Sequence, residues 1–207
     1  MFWDKVAGVY DVFADVYNGK VNRVMCRVVS EQIGKEDRVL ECACGTGLIT
    51  TCIAPLCKEV VATDFSEGML KQTEKKCRNY SNVQVEFADI TNLKYTDASF
   101  DAVIAANVIH LLDNPSQALS ELNRVCKEDG KIIIPTYVNK EKTGETGTFV
   151  KTIGKTGADF KRQFTFSNYK QFFEEEGFTD IDIHRIPGRI PCAIAVITKK
   201  KNEDPAA

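Results

Sequence analysis

The stretch Val39-Leu40-Glu41-Cys42-Ala43-Cys44-Gly45-Thr46-Gly47-Leu48-Ile49-Thr50 constrains the fold of this chain more than any other. An apolar run stops at an acid, two glycines separated by one residue make a tight turn, and a segment of helical character follows at once. Strand, glycine turn and helix in that order form the opening of an α/β sheet that offers a nucleotide-like ligand the carboxyl end of its first strand. The spacing then restricts the ligand. A dinucleotide fingerprint needs Gly-x-Gly-x-x-Gly/Ala, and counting from Gly45 puts Thr50 in the third place. A side chain of that bulk disfavours the close helix–strand packing a glycine permits there. Counted from Ala43, the pattern becomes Ala43-x-Gly45-x-Gly47 with Glu41 two residues upstream. Alanine at 43 is accommodated if φ is negative there, while Gly45 and Gly47 let the main chain approach a ligand closely.

Downstream, strands and helices alternate. Val39–Cys42, Val60–Ala62, Val83–Phe87, Ala102–Ala106 and Lys131–Ile134 read as strands. Leu48–Leu56, Ser66 to about Cys77 and Pro115–Val125 read as the helices between them, with Ser66 a cap. This order predicts a parallel sheet wound by right-handed crossovers, and the apolar run Ala102–Ala106 predicts a strand buried on both faces. Residues 2–33 carry Val6, Tyr10, Phe13 and Tyr17 at helical spacing, then Val21, Val24, Val28 and Val29, with a break at Asn18-Gly19. After the fifth strand, the glycine-, lysine- and threonine-rich stretch 138–160 reads as an insertion. Ser167–Glu176 is a helix closed by Gly177, and Ile181–Ile186 with Ile190–Thr198 forms a hairpin. The fold class is therefore α/β: a Rossmann-like, seven-stranded, mostly parallel sheet with helices on both faces and an antiparallel C-terminal hairpin. One domain over 1–207 is expected, made of an N-terminal helical cap (1–35), a ligand-binding core (36–135), a substrate-side insertion (136–166) and a C-terminal helix and hairpin (167–198).

A length of 207 residues suits one domain with a sizeable core, and 43% hydrophobic with 27% charged residues indicates a globular chain. The formal net charge of −2 gives no global attraction to nucleic acid or anionic lipid. No apolar run spans a bilayer, and no basic-then-apolar leader opens the chain. The expected location is the cytoplasm. The eight cysteines sit mostly in apolar segments and read as free, buried thiols. Cys42-x-Cys44 is a poor zinc spacing, and no metal is expected. Gly154-Lys155-Thr156 imitates a phosphate-binding loop, but the earlier glycine that loop requires is Phe149.

Acids close two further strands. Asp64, after the second, can accept from both hydroxyls of a ribose or cap the helix that begins near Ser66. Asp89, after the third, can accept from an adenine amino group while Ile90 packs on the ring, or serve as a solvated turn residue. Phe65 or Met69 can cover the other adenine face. Acid, small-x-Gly-x-Gly at 41–47, Asp64, Asp89 and Phe100-Asp101-Ala102-Val103 leading to His110-Leu111-Leu112 stand in fixed order. Together they resemble class I S-adenosylmethionine-dependent methyltransferases, over about residues 36–135. Ala7-Gly8-Val9-Tyr10-Asp11 resembles the VAxxYD entrance of the ubiquinone and menaquinone biosynthesis-type members, whose N-terminal helices fold over the donor.

The resemblance implies methyl transfer from S-adenosylmethionine to a small molecule, with S-adenosylhomocysteine as product. It assigns donor binding to Tyr10, Tyr17, Glu41, Cys42, Ala43, Gly45, Thr46, Gly47, Asp64, Phe65, Met69, Asp89, Ile90 and Asn107. Tyr10 and Tyr17 either face the sulfonium, which an aromatic face attracts, or belong to an amphipathic stripe. His110, just beyond the fourth strand, is the candidate base, or a packing residue. Phe149, Phe160, Phe164 and Phe166 either line an apolar acceptor pocket or anchor the insertion. No Asn/Asp-Pro-Pro-aromatic follows the fourth strand, as enzymes acting on nucleic-acid bases commonly carry; Asn107-Val108-Ile109-His110 stands there. The expected partner is thus a small-molecule acceptor, with no nucleic acid and no membrane insertion, in a monomer or homodimer. The alternatives are an NAD-linked oxidoreductase on a related sheet, a non-catalytic S-adenosylmethionine-binding protein, and protein methylation.

Overall fold

Alternation decides which way each strand side chain points, and in this chain both directions are apolar. The computed structural model describes residues 3–4, 10–140 and 160–200, with main chain alone over 10–17. Seven strands lie in one sheet: β1 (Arg38–Cys42), β2 (Glu59–Asp64), β3 (Val83–Phe87), β4 (Phe100–Ala105), β5 (Cys126–Tyr137), β6 (Ile181–Ile186) and β7 (Cys192–Thr198). Their order is β3-β2-β1-β4-β5-β7-β6. The first five run parallel, and β7 pairs antiparallel with both β5 and β6.

Leu40, Cys42, Val103, Ala105, Ile132 and Ile134 face one layer of the core, built with α4 (Pro115–Val125) and α5 (Tyr169–Glu175). Val39, Val60, Ala62, Ala102, Ile104 and Ile133 face the other, built with α1 (Tyr10–Ser30), α2 (Leu48–Ile53) and α3 (Glu67–Cys77). Ala102 through Ala105 are all buried, as a central strand covered on both faces requires.

The helices start where their caps place them. Ser66 accepts from the Met69 N–H at 3.2 Å, and acidic Glu67 opens α3 while Lys75 and Lys76 close it, in keeping with the helix dipole. Asn114 accepts from the Gln117 N–H, Pro115 follows it, and Ala118, Leu119, Leu122 and Val125 bury one face of α4. The helix expected over 48–56 is α2 followed by a 3₁₀ turn at Ala54–Leu56, because Pro55 ends the α-helical bonding.

One expected break is present and two strand boundaries depart from the sequence expectation, each for an identifiable reason. The break expected at Asn18-Gly19 falls on Asn18 (φ −142°), a kink that joins the two helical segments of α1. Its side-chain amide is engaged by Ile190, donating to the carbonyl at 2.9 Å and accepting from the N–H at 3.3 Å. That bond takes Ile190 out of the sheet, and Pro191 has no N–H to give, so β7 starts at Cys192 and not at Ile190. β5 is longer than expected: its register with β4 jumps from Phe100↔Cys126 to Ala102↔Lys131, and Asp129 takes φ 59° between them. A Cβ on Gly130 would lie 2.8 Å from the Asp101 carbonyl oxygen. That close approach explains the glycine there.

Candidate active site

The carboxyl ends of β1, β2, β3 and β4 lie side by side, since Cys42 pairs with Thr63 and Ala105, and Asp64 with Phe87. The turn after β1 is left-handed at Gly45 (φ 57°) and Gly47 (φ 81°). A Cβ on Gly47 would sit 3.1 Å from the Thr73 side chain, so this glycine lets the turn settle on α3. The Thr73 hydroxyl donates to the Gly45 carbonyl at 2.8 Å and fixes the turn. Around the Cβ position of Gly45 there is no heavy atom within 4 Å. The main chain is therefore bare there, and open to a ligand.

Beside this opening stands Asp64. Its Oδ2 accepts from the Gly45 N–H at 2.9 Å and its Oδ1 from the Ser66 N–H at 2.8 Å. Burial raises its carboxyl above the usual range, against the Gly45 and Ser66 N–H groups, which lower it. Each oxygen keeps a further lone pair, so the carboxylate can hold the turn and still receive two hydroxyls. An open glycine cradle next to a positioned carboxylate is the donor set that an S-adenosyl group requires. The described residues fit it.

Ala43 is a correction. It has φ 53°, not the negative value at which alanine is readily accommodated. The chain must reverse directly after β1 so that the Cys44 N–H can donate to the Thr63 carbonyl (2.9 Å) and the Gly47 N–H to the Cys44 carbonyl (3.0 Å). Glu41 is buried, and its Oε2 accepts from the Thr50 hydroxyl at 2.6 Å. Burial pushes its carboxyl up to about 8 even though the Thr50 bond opposes the shift. Thr50, in the place of a dinucleotide fingerprint's third glycine, is thus the partner of the acid at the end of β1.

The remaining expected residues are placed as follows. The Cys42 thiol is buried in the layer under α4, where burial pushes it up to about 12, which leaves its main chain for the turn. Thr46 and Met69 are buried. Phe65 is 48% exposed and contacts Phe87, itself 53% exposed, with ring centroids 5.0 Å apart. Asp89 forms an Asx turn, its Oδ1 accepting from the N–H and hydroxyl of Thr91 at 2.8 and 2.7 Å, while Ile90 is buried beside it. Asn107 (φ 53°) accepts from the Tyr137 N–H at 2.9 Å and donates its own N–H to Pro135, tying the end of β4 to β5. The side chains of Tyr10 and Tyr17 lie outside the described residues, as do Phe149 and the Gly154-Lys155-Thr156 segment.

His110 lies in a 3₁₀ turn, Ile109–Leu111, after β4. Its ring stacks on Phe160 at 5.3 Å and 7°, and burial pushes the imidazole down to about 4. Phe164 packs in the core against Tyr169 and Phe172, and Phe166 packs on the same layer, so these two anchor the segment.

Sequence reasoning missed Thr73, Phe87 and Asp4. The Asp4 carboxylate accepts from the Ser66 hydroxyl at 2.6 Å and the Gly68 N–H at 3.0 Å, seating Trp3–Asp4 on the start of α3. The one available signal was Gly68 in a first helical turn, whose Cβ would lie 2.9 Å from the Asp4 Cα. All eight cysteines are unbridged, and no described helix is long and apolar enough to cross a membrane.

Comparison with known proteins agrees with this geometry. Residues 40–134 match the family model described as a methyltransferase domain. A demethylmenaquinone methyltransferase of Clavibacter sepedonicus is 36% identical over 136 residues, covering 64% of this chain and 55% of the relative. One from Staphylococcus aureus is 28% identical over 212 residues, covering 91% of this chain and 88% of the relative. The chain spans little more than half the length of the first of these. A crystal structure of an S-adenosylmethionine-dependent methyltransferase from Thermotoga maritima superposes with TM-score 0.74 at 20% identity, covering 96% of this chain and 99% of that one, a likeness of fold. Residues 40–134 thus match a methyltransferase domain, and the chain is similar to demethylmenaquinone methyltransferases.

Proposed function

We infer that this protein, built around a class I methyltransferase domain, transfers a methyl group from S-adenosylmethionine to a small-molecule acceptor and releases S-adenosylhomocysteine. The observation that carries this reading is the bare main chain at Gly45 beside the Asp64 carboxylate, which already grips the same turn. When bound, the donor supplies an activated methyl carbon on a sulfonium; the chain has to align the reactants and keep water out. Ala43, Gly45, Thr46 and Gly47, with the main chain of Cys42, would seat the amino-acid half, above the buried Glu41. Asp64 would receive the ribose hydroxyls. Phe65 would lie against the adenine, with Met69 and Ile90 beneath it and Asp89 toward its amino group. Asn107 keeps the end of β4 in register with β5 at the acceptor side. Tyr10 and Tyr17 would close over the sulfonium from the N-terminal cap (1–35), and the insertion (136–166) would face the acceptor, within one domain.

His110, in the turn that follows the strand beside β1, is the candidate base toward the acceptor. Eight unbridged thiols support a reducing, cytoplasmic setting. The net charge of −2 supports a small acceptor over nucleic acid, in a monomer or homodimer. Burial of Thr50 against Glu41 argues against the dinucleotide alternative, since it fills the place where that fold needs glycine. The test is a panel of metabolites incubated with methyl-labelled S-adenosylmethionine, with NADH oxidation followed in parallel. Label should pass to a small-molecule acceptor and NADH should remain unconsumed. Donor binding without label transfer to any acceptor would identify a non-catalytic binding protein, and NADH turnover would identify the oxidoreductase.

A further inference from the structure

We propose that His110 is the specificity-determining contact for the acceptor: its Nδ1 takes a hydrogen bond from an uncharged hydroxyl of the acceptor, on an apolar wall formed with Phe160. This rests on the methyltransferase reading and adds the chemical class of acceptor. Among the described residues, Nδ1 of His110 is a buried side-chain nitrogen with no hydrogen-bond partner, on a residue only 7% exposed. Buried polar atoms in native proteins almost always have a partner, and one that lacks it calls for a ligand or a water. Neutral imidazole has one N–H and one lone pair. An unpaired buried N–H is the rarer and costlier of the two, so the proton belongs on Nε2 and the orphan at Nδ1 is a lone pair. A lone pair needs a donor.

The turn holding this atom is rigid. The His110 carbonyl accepts from the Lys161 and Arg162 N–H groups at 3.0 and 3.3 Å, and Arg162 Nη1 donates to the Leu112 carbonyl at 3.0 Å. Lys161 pairs with Asp113 at 2.9 Å. The stacked rings are therefore fixed at the carboxyl edge of β4, next to the strand that carries the glycine turn. Burial alone lowers the affinity of His110 for protons, with no charged group adding to the shift. Among the described residues, none supplies a counter-charge to a protonated amine there. A hydroxyl is uncharged, donates one hydrogen bond and suits an aromatic wall.

The experiment uses the full chain saturated with S-adenosylhomocysteine, ¹⁵N-labelled at histidine. His184 is the other histidine, so His110→Ala assigns both resonances. Phenol is the hydroxyl probe, with toluene as its isostere and benzylamine as the cationic control. We expect His110 to be neutral with the proton on Nε2. Its Nδ1 resonance should move upfield with phenol and stay still with toluene and benzylamine, and His110→Ala should weaken phenol binding about tenfold while leaving S-adenosylhomocysteine affinity within twofold. A proton on Nδ1, or no Nδ1 shift with phenol, overturns the proposal; the wild-type measurement decides this even should His110→Ala fail to fold. A water alone at Nδ1 gives that same unmoved resonance. Failure of S-adenosylhomocysteine to bind would instead overturn the donor reading, and is seen separately in the same titration.

Discussion

Ala43 carries the clearest residue-scale cost. Its φ of 53° crowds Cβ against the following carbonyl, at roughly 1–2 kcal/mol for a residue other than glycine. Ala43→Gly removes that clash but adds freedom to the unfolded chain, which offsets part of the gain. The expected outcome is a stabilisation of about 1 kcal/mol in urea unfolding, seen as a higher midpoint at unchanged slope. An unchanged or lower midpoint would show that the turn holds Ala43 without strain. The sequence allowed the turn to be read at Gly45 and Gly47 because two glycines one apart, after an apolar run, have few other uses. The sign of φ at Ala43 was not legible, since it depends on where the Cys44 N–H must go, and that partner, Thr63, belongs to the next strand. Glu41 and Thr50 each stand out in the sequence, but their mutual bond forms only once α2 is laid over the sheet.

Elements were legible where pattern and punctuation coincide. Pro115–Val125, with a cap, a first-position proline and an apolar stripe, has the bounds expected for it. Val83–Phe87 likewise matches. What local pattern could not supply was the tie between α1 and the C-terminal hairpin. Asn18 is the helix break that the sequence indicates, and its amide satisfies both main-chain groups of Ile190, 172 residues away. Asn18→Ala leaves that buried N–H and carbonyl unpaired, and should lower stability by about 1–3 kcal/mol in denaturant unfolding. No measurable loss would mean that water replaces the amide at no cost and that the joint is not structural. The hairpin itself was legible, and so, in retrospect, is its orientation. Cys192–Thr198 is apolar on both faces and lies inside the sheet against β5, whereas Ile181–Ile186 carries Asp182, His184 and Arg185 and forms the edge. Charged residues suit an edge strand because they discourage further pairing.

At the scale of the molecule, one sheet with two apolar faces gathers the ends of four neighbouring strands, and each contributes a different part of the proposed site. β1 gives the turn, β2 the carboxylate, β3 the exposed Phe87 with Asp89 beyond it, and β4 the His110 turn. That gathering follows from strand order, so a sequence showing acids and glycines after successive strands already implied a shared rim. The segment joining Trp3–Asp4 to α3 was not implied, because nothing local marks Asp4 as the partner of Ser66 and Gly68. The proposed activity depends on a donor seat at Gly45 and Asp64. Its most direct measurement is the heat of binding of S-adenosylhomocysteine to the wild-type chain and to Asp64→Asn, which keeps the shape and removes one acceptor oxygen. We predict one-to-one binding to the wild type, weakened at least tenfold, or about 1.4 kcal/mol, in the variant; no heat with the wild type, or equal affinity for both proteins, would contradict it.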